Sequence, residues 1–291
     1  MRQETKSVQD MNTRLFAPTI VIVMLSLGLS LTVADFRRAA SMPRPICAAL
    51  LCQTVLLPSA CFAITQAFAL PPDLAVGLML MSACPGGAMA NVFSHLAEGD
   101  LALNLTLTAI NGLLSVVSLP LILGVSIFLL IGDTHTVPLQ YAKVLETFAL
   151  VLLPVTAGML LRHRFPLEAR RLQRPAKLLA GCFVLGVGIL AAVTGWTTLA
   201  AHFAALGEAV LSLGGISLVI GYAVPRLMRL EPRQSIAISL EIGLHNGALA
   251  IAIASNPHLL GNAEMAVPAA LYGILMPFVA ATFVVLVNGR R

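Results

Sequence analysis

The sequence predicts an all-α polytopic membrane protein, and three observations carry that reading. Charged residues make up 11% of the chain and hydrophobic residues 58%, whereas an ordinary soluble domain carries about 25% charged residues. The mean hydropathy is +0.91, so a soluble protein of this length would lack the polar surface to cover its core, and lipid must cover it instead. The apolar runs are also far longer than the roughly 10 residues a barrel strand needs to cross a bilayer. Helices are the remaining way to satisfy backbone groups in hydrocarbon.

Windows of about 20 apolar residues can be placed nine times. They run over Leu15–Ala34, Ile46–Leu70, Leu74–Leu96, Leu101–Ile131, Val144–Leu161, Leu178–Trp196, Leu206–Val224, Ile236–Ala254 and Ala266–Val287. The fourth is long enough to tilt strongly or to end in a surface turn. Connections are short, so residues 1–291 read as a single membrane domain in a lipid bilayer. The first window is too long for the apolar region of a signal peptide, and Glu4 and Asp10 dilute its basic flank. We therefore read it as a span.

The net charge of +5 would suggest nucleic acid in a soluble chain. Here the basic residues sit between apolar runs, so they report orientation and no nucleic-acid partner is expected. With the C-terminus in the cytoplasm, the inside segments hold 14 of the 18 Lys and Arg residues, including Arg162, Arg164, Arg170, Arg171, Arg174 and Lys177. The N-terminus then lies outside the inner membrane of the cell. Cys47, Cys52, Cys61, Cys84 and Cys182 all fall in apolar runs without metal spacing and read as buried thiols.

Two spans break the apolar pattern. In the third, Pro85 removes a backbone donor and Gly86-Gly87 remove helical stiffness, so the helix should break near mid-membrane. The freed backbone groups then need protein, ions or a water-filled cavity as partners. In the eighth, Glu241 is the one acidic residue well inside a span. Burying it costs about 2.5 kcal/mol or more, and a cation or proton must compensate. His245 follows four residues on, on the same helical face, and Gly243, Asn246 and Gly247 make this segment breakable too. Gln53, Asn104, Thr108 and Asn111 are further uncharged polar residues inside spans. Each alone reads as interhelical glue; around two breaks they point to a polar cavity.

The breaks fall in the middle helices of two three-span blocks, spans 2–4 and 7–9. Span 3 runs inward and span 8 outward, so the blocks form an inverted repeat, the usual pointer to a transporter's ion and substrate site. No HExxH, no GxSxG and no paired intramembrane aspartates are present to support an enzyme. A sensor or scaffold would need no broken helices.

At these residues the chain resembles the bile acid:sodium symporter family, in its nine-helix form. The matching stretches are LGLSLTVADF (Leu27–Phe36), VGLMLMSACPGGAMANVFSHLAEGDLALNLTLT (Val76–Thr108) and SLEIGLHNGALAIAIA (Ser239–Ala254). The resemblance implies two broken helices crossing in a six-helix core, here 45–131 and 199–288, beside a panel at 14–36 and 138–197. It implies sodium ions as coupling ions, no other cofactor, and alternating-access symport of an organic anion, either a bile-acid-like amphipath or a small carboxylate. A proton-coupled or arsenite-type carrier is the alternative on the same architecture.

Carried over residue by residue, the first sodium site maps onto Asn91, Asn104, Thr108 and Glu241, with Ala90 where the family often has serine. The second maps onto Gln53, Glu241, the backbone of Ile242 and Leu244, and His245, where the family often has glutamine. A neutral imidazole offers one nitrogen lone pair, a poorer sodium ligand than an amide oxygen, so the second site is expected to be weak. Gly86, Gly87, Ala88, Asn246 and Met276 fall near the substrate. Met276-Pro277 stands where related bacterial carriers have His-Asn, which implies a different pocket.

The orientation has a direct check. Single cysteines placed between Arg162 and Lys177 should resist impermeant thiol reagents in intact cells, and labelling there would overturn it.

Overall fold

The structure is a computed structural model that describes residues 33–132, 141–169, 196–256 and 259–289, with isolated helical positions between 21 and 29 and between 171 and 182. The described elements are helical: α1 (Val33–Ser41), α2 (Pro43–Leu51), α3 (Leu57–Ala67), α4 (Pro72–Ala83), α5 (Ala88–Leu96), α6 (Leu101–Ile131), α7 (Tyr141–Arg164), α8 (Trp196–Leu227), α9 (Pro232–Gly243), α10 (Gly247–Ser255) and α11 (Val267–Asn288). Most of the first and sixth predicted spans lies outside the described residues.

Among the described residues, four stretches are each long and apolar enough to cross a membrane: Pro43–Ala67, Leu101–Ile131, Ala200–Leu227 and Glu264–Asn288. The third and eighth predicted spans escape that criterion because each is split. The third becomes α4 and α5, interrupted at 84–87, and the eighth becomes α9 and α10, interrupted at 244–246. The chain is thus a multi-pass helical membrane protein.

Local chemistry sets the helix ends. Asp100 caps α6 by accepting from the Leu103 N–H at 3.0 Å, and Gly132 ends it with φ of 71°, a backbone state that glycine adopts without a Cβ penalty. Between them α6 runs 31 residues without interruption. That is about 46 Å at 1.5 Å per residue, longer than the roughly 30 Å hydrocarbon layer, so α6 tilts or projects. Between α2 and α3 the helix widens into a π turn at Cys52–Leu56. Pro58 explains the widening, since it offers no N–H to the carbonyl one turn earlier and its ring crowds that group. The widened turn carries Gln53, which is buried.

Burial separates two kinds of helix. Three of the four broken halves are enclosed: every residue from Leu74 to Ala83 of α4 is buried, as is every residue from Ser235 to Gly243 of α9 and from Leu249 to Ala254 of α10, whereas α5 exposes Met89, Val92 and Leu96. The long helices turn residues such as Leu121, Val125 and Phe128 of α6 and Ile274, Phe278 and Val285 of α11 outward, where lipid tails are their natural solvent. At its outer ends each broken pair meets the other. The Asp100 N–H, in the turn after α5, donates to the Arg233 carbonyl at the start of α9 at 2.9 Å. Asn262, in the turn after α10, donates through Nδ2 to Asp73 at the start of α4 at 2.9 Å.

Candidate functional site

The two breaks are joined to each other. The Gly87 N–H donates to the Leu244 carbonyl at 2.8 Å, and the Asn246 N–H donates to the Pro85 carbonyl at 2.8 Å. These bonds form an isolated antiparallel bridge in which Gly86 faces His245. Backbone groups freed by one interruption are therefore satisfied by the other, as a buried, non-helical segment requires. Four helix ends converge here. The C-terminal ends of α4 and α9 bring partial negative charge, and the N-terminal ends of α5 and α10 bring partial positive charge.

Glu241 lies in the last turn of α9 and is fully buried. Its Oε2 accepts from Thr108 Oγ1 at 2.7 Å and its Oε1 from Asn111 Nδ2 at 3.4 Å. Both donors come from α6, three residues apart, and so stand one above the other on the same helix face. Gly86 packs directly on the carboxyl, where a Cβ would collide with it. No Lys or Arg is available to neutralise Glu241 within α4, α5, α6, α10 or α11.

The neighbouring amides share one pattern. Asn104 donates through Nδ2 to the Ala237 carbonyl at 2.7 Å. Gln53 donates through Nε2 to the Ser82 and Cys84 carbonyls at 3.0 and 3.1 Å, tying off the open end of α4. Asn91 donates through Nδ2 to Thr108 Oγ1 at 3.4 Å. In each case, and in Asn111, the amide oxygen is buried and has no hydrogen-bond partner among the described residues. Together with the Glu241 carboxylate, these donorless amide oxygens are hard acceptors, the composition a hard cation calls for. The structure thus links Asn91, Thr108 and Glu241 in one hydrogen-bonded chain. Asn104 lies one turn before Thr108 on α6, and Gln53 reaches the α4 carbonyls rather than Glu241.

His245 is anchored by a group from the last helix. Tyr272 is almost wholly buried, and its hydroxyl donates to the Gly243 carbonyl at 2.8 Å. A phenol has a single hydrogen to give, so His245 Nδ1, 2.8 Å from the same oxygen, must be the donor in that contact. This leaves Nε2 as a bare lone pair, buried and without a partner among the described residues. Ile242 is buried and the Leu244 carbonyl is engaged by Gly87. Asn246 caps α10 by accepting from the Leu249 N–H at 3.1 Å, and Ala88 begins α5. Met276 is buried with its sulfur against Gly214 of α8.

Two residues gain roles that the sequence reading did not assign. Asn111 was noted only as a polar residue in a span, although its spacing from Asn104 and Thr108 on one face was visible. Tyr272 was passed over; its signal is a phenol inside an apolar span, where the hydroxyl needs a partner.

Interrupted helices that meet at a buried carboxylate, ringed by unpartnered oxygens, define a membrane transporter of the broken-helix class. The sequence profile of the Sodium Bile acid symporter family matches residues 17–213. The chain belongs to that family, whose members are transporters and not enzymes. It is 29% identical over 270 residues to a probable sodium/metabolite cotransporter, BASS1, of Arabidopsis thaliana, covering 88% of this chain and 62% of the relative. It is 31% identical over 269 residues to the probable sodium/metabolite cotransporter BASS2 of Oryza sativa, covering 91% and 62%. With the human ileal sodium/bile acid cotransporter it shares 23% identity over 233 residues, covering 79% and 66%. The chain thus spans about three fifths of the plant relatives' length.

Two substitutions test this geometry. Gly86→Ala should disrupt the crossing, because its Cβ would enter the Glu241 carboxyl, whereas Gly87→Ala should be tolerated, since a Cβ there meets nothing closer than 3.4 Å. Equal thermal stability of the two variants in detergent would contradict the packing. Tyr272→Phe strands the Gly243 carbonyl and His245 Nδ1, and should cost about 1–3 kcal/mol for each stranded group. A melting temperature like that of the wild type would remove the anchoring role.

Proposed function

We propose that this chain is a sodium-coupled symporter of a small organic anion, working by alternating access in the inner membrane with its N-terminus outside and C-terminus cytoplasmic. The observation that carries the reading is the set of buried, unpartnered oxygens beside an unneutralised Glu241. Such groups are costly to bury, and a desolvated monovalent cation offsets that cost. The first sodium would be held by Asn91, Asn104, Thr108 and Glu241. The second would use Gln53, Glu241, the Ile242 and Leu244 backbone and His245, whose only unpartnered ring atom is a nitrogen, and would be the weaker.

The anion would bind at the N-terminal ends of α5 and α10, near Gly86, Gly87, Ala88 and Asn246, with Met276 as an apolar boundary. Free N–H groups and helix dipoles favour negative charge there. Sodium would bind beside Glu241 at the same crossing, so loading it stiffens the elements that meet the anion. That is the physical basis proposed for coupling. The antiparallel bridge and the shared order of long helix, broken pair, long helix in the two halves support an inverted-repeat core, with α7 in the panel beside it. The relatives' names, sodium/metabolite and sodium/bile acid, support coupling to sodium and leave a keto acid, a pantothenate-like carboxylate or a bile-salt-like amphipath as cargo.

Sodium at 100 times its dissociation constant stabilises the folded state by about 2.7 kcal/mol. The purified protein should therefore melt higher in sodium than in potassium at equal ionic strength. Glu241→Gln keeps the shape and one oxygen but loses the charge. It should abolish both that difference and sodium-driven uptake of carboxylates into proteoliposomes while remaining folded. A sodium response that persists in Glu241→Gln would leave the proposed ion site without its centre.

A further inference from the structure

The amide of Asn111 is held less well than a buried amide should be. Among the described residues its oxygen has no partner, and its only polar contact is Nδ2 to Glu241 Oε1 at 3.4 Å. Charge-assisted N–H···O bonds run about 2.7–2.9 Å. A residue acting as structural glue would have both ends of the amide satisfied. Asn104 at least has a short bond at 2.7 Å to fix its orientation; Asn111 has none.

The spacing itself suggests what else fits. A hard cation of calcium's size sits about 2.4 Å from each oxygen ligand, so two ligands at right angles lie about 3.4 Å apart. That is the separation between Asn111 Nδ2 and Glu241 Oε1. Rotating the amide by half a turn about its terminal bond exchanges nitrogen and oxygen at nearly the same position. The pair then becomes two oxygens spaced to share one cation.

We propose that Asn111 is a two-state ligand of the coupling cation: it donates to Glu241 when the site is empty and turns its oxygen to the ion when the site fills. This rests on the sodium reading above and adds a third residue from one face of α6, two turns beyond Asn104. Asn91 shows the same combination, a 3.4 Å donor contact and an unpartnered oxygen, so loading would reorient an amide on each side of Thr108. In the empty state the two amides offer hydrogens towards the carboxylate and its partner hydroxyl. In the loaded state they offer oxygens to the ion. The exchange makes the protonless, cation-free site less costly without building a fixed positive charge into it.

The test is a sodium titration of the melting temperature of purified full-length protein, with potassium holding ionic strength constant. Asn111→Ala should raise the half-saturating sodium concentration at least about tenfold, with the melting temperature in potassium lowered far less than the sodium response. Asn111→Asp, which keeps an oxygen in place, should retain a sodium midpoint closer to wild type than Asn111→Ala does. Asn111→Val, which also lacks a side-chain oxygen, serves the same comparison if the alanine variant fails to purify. A sodium midpoint unchanged in Asn111→Ala, or an aspartate variant as impaired as alanine, would overturn the ligand role while leaving the Glu241 site standing. No sodium response in the wild type would overturn both.

Discussion

The structure depends on two backbone hydrogen bonds, Gly87 to Leu244 and Asn246 to Pro85. Breaking a helix inside a bilayer exposes peptide groups that lipid cannot satisfy. One such break would require water or side chains as partners. Two breaks brought face to face in antiparallel register complete each other. This arrangement permits very little at Gly86, because the chain there must pass the other break and the Glu241 carboxyl at once. It also explains why α4, α9 and α10 are enclosed on every side while α6 and α11 face outward. The crossing survives only where other helices keep lipid away from it.

The crossing also concentrates charge. Two helix C-termini and Glu241 bring negative charge to it, and two helix N-termini bring positive charge. Gln53, Asn91, Asn104 and Asn111 all aim their nitrogens at protein acceptors and leave their oxygens uncovered. Four amides with the same polarity of leftover group are difficult to explain as packing. They form a surface whose complement is positive.

Much of this was legible in the sequence because it rests on local chemistry. Pro85 with two glycines, and Gly243 with Asn246 and Gly247, mark both breaks, and the fourth span matches α6 at Leu101–Ile131. The polarity of Glu241 within an apolar run marks the centre of the site. What stayed hidden depends on residues far apart in the chain. Thr108 and Glu241 are 133 positions apart and Asn111 and Glu241 130, so hydropathy windows cannot report that they meet. Tyr272 carries the signal of a phenol in an apolar span, but its partners lie at the break of a different span. The π turn at Gln53 was readable in principle from Pro58, but an apolar window registers hydrophobicity and not the loss of one backbone donor.

The central claim is that a cation completes the acceptor set at the crossing. Equilibrium binding of radiolabelled sodium to the purified protein measures this without needing the cargo. The account predicts saturable binding that excess potassium does not displace and that nonradioactive sodium does. Absence of saturable binding at millimolar sodium, or equal displacement by potassium, would contradict it.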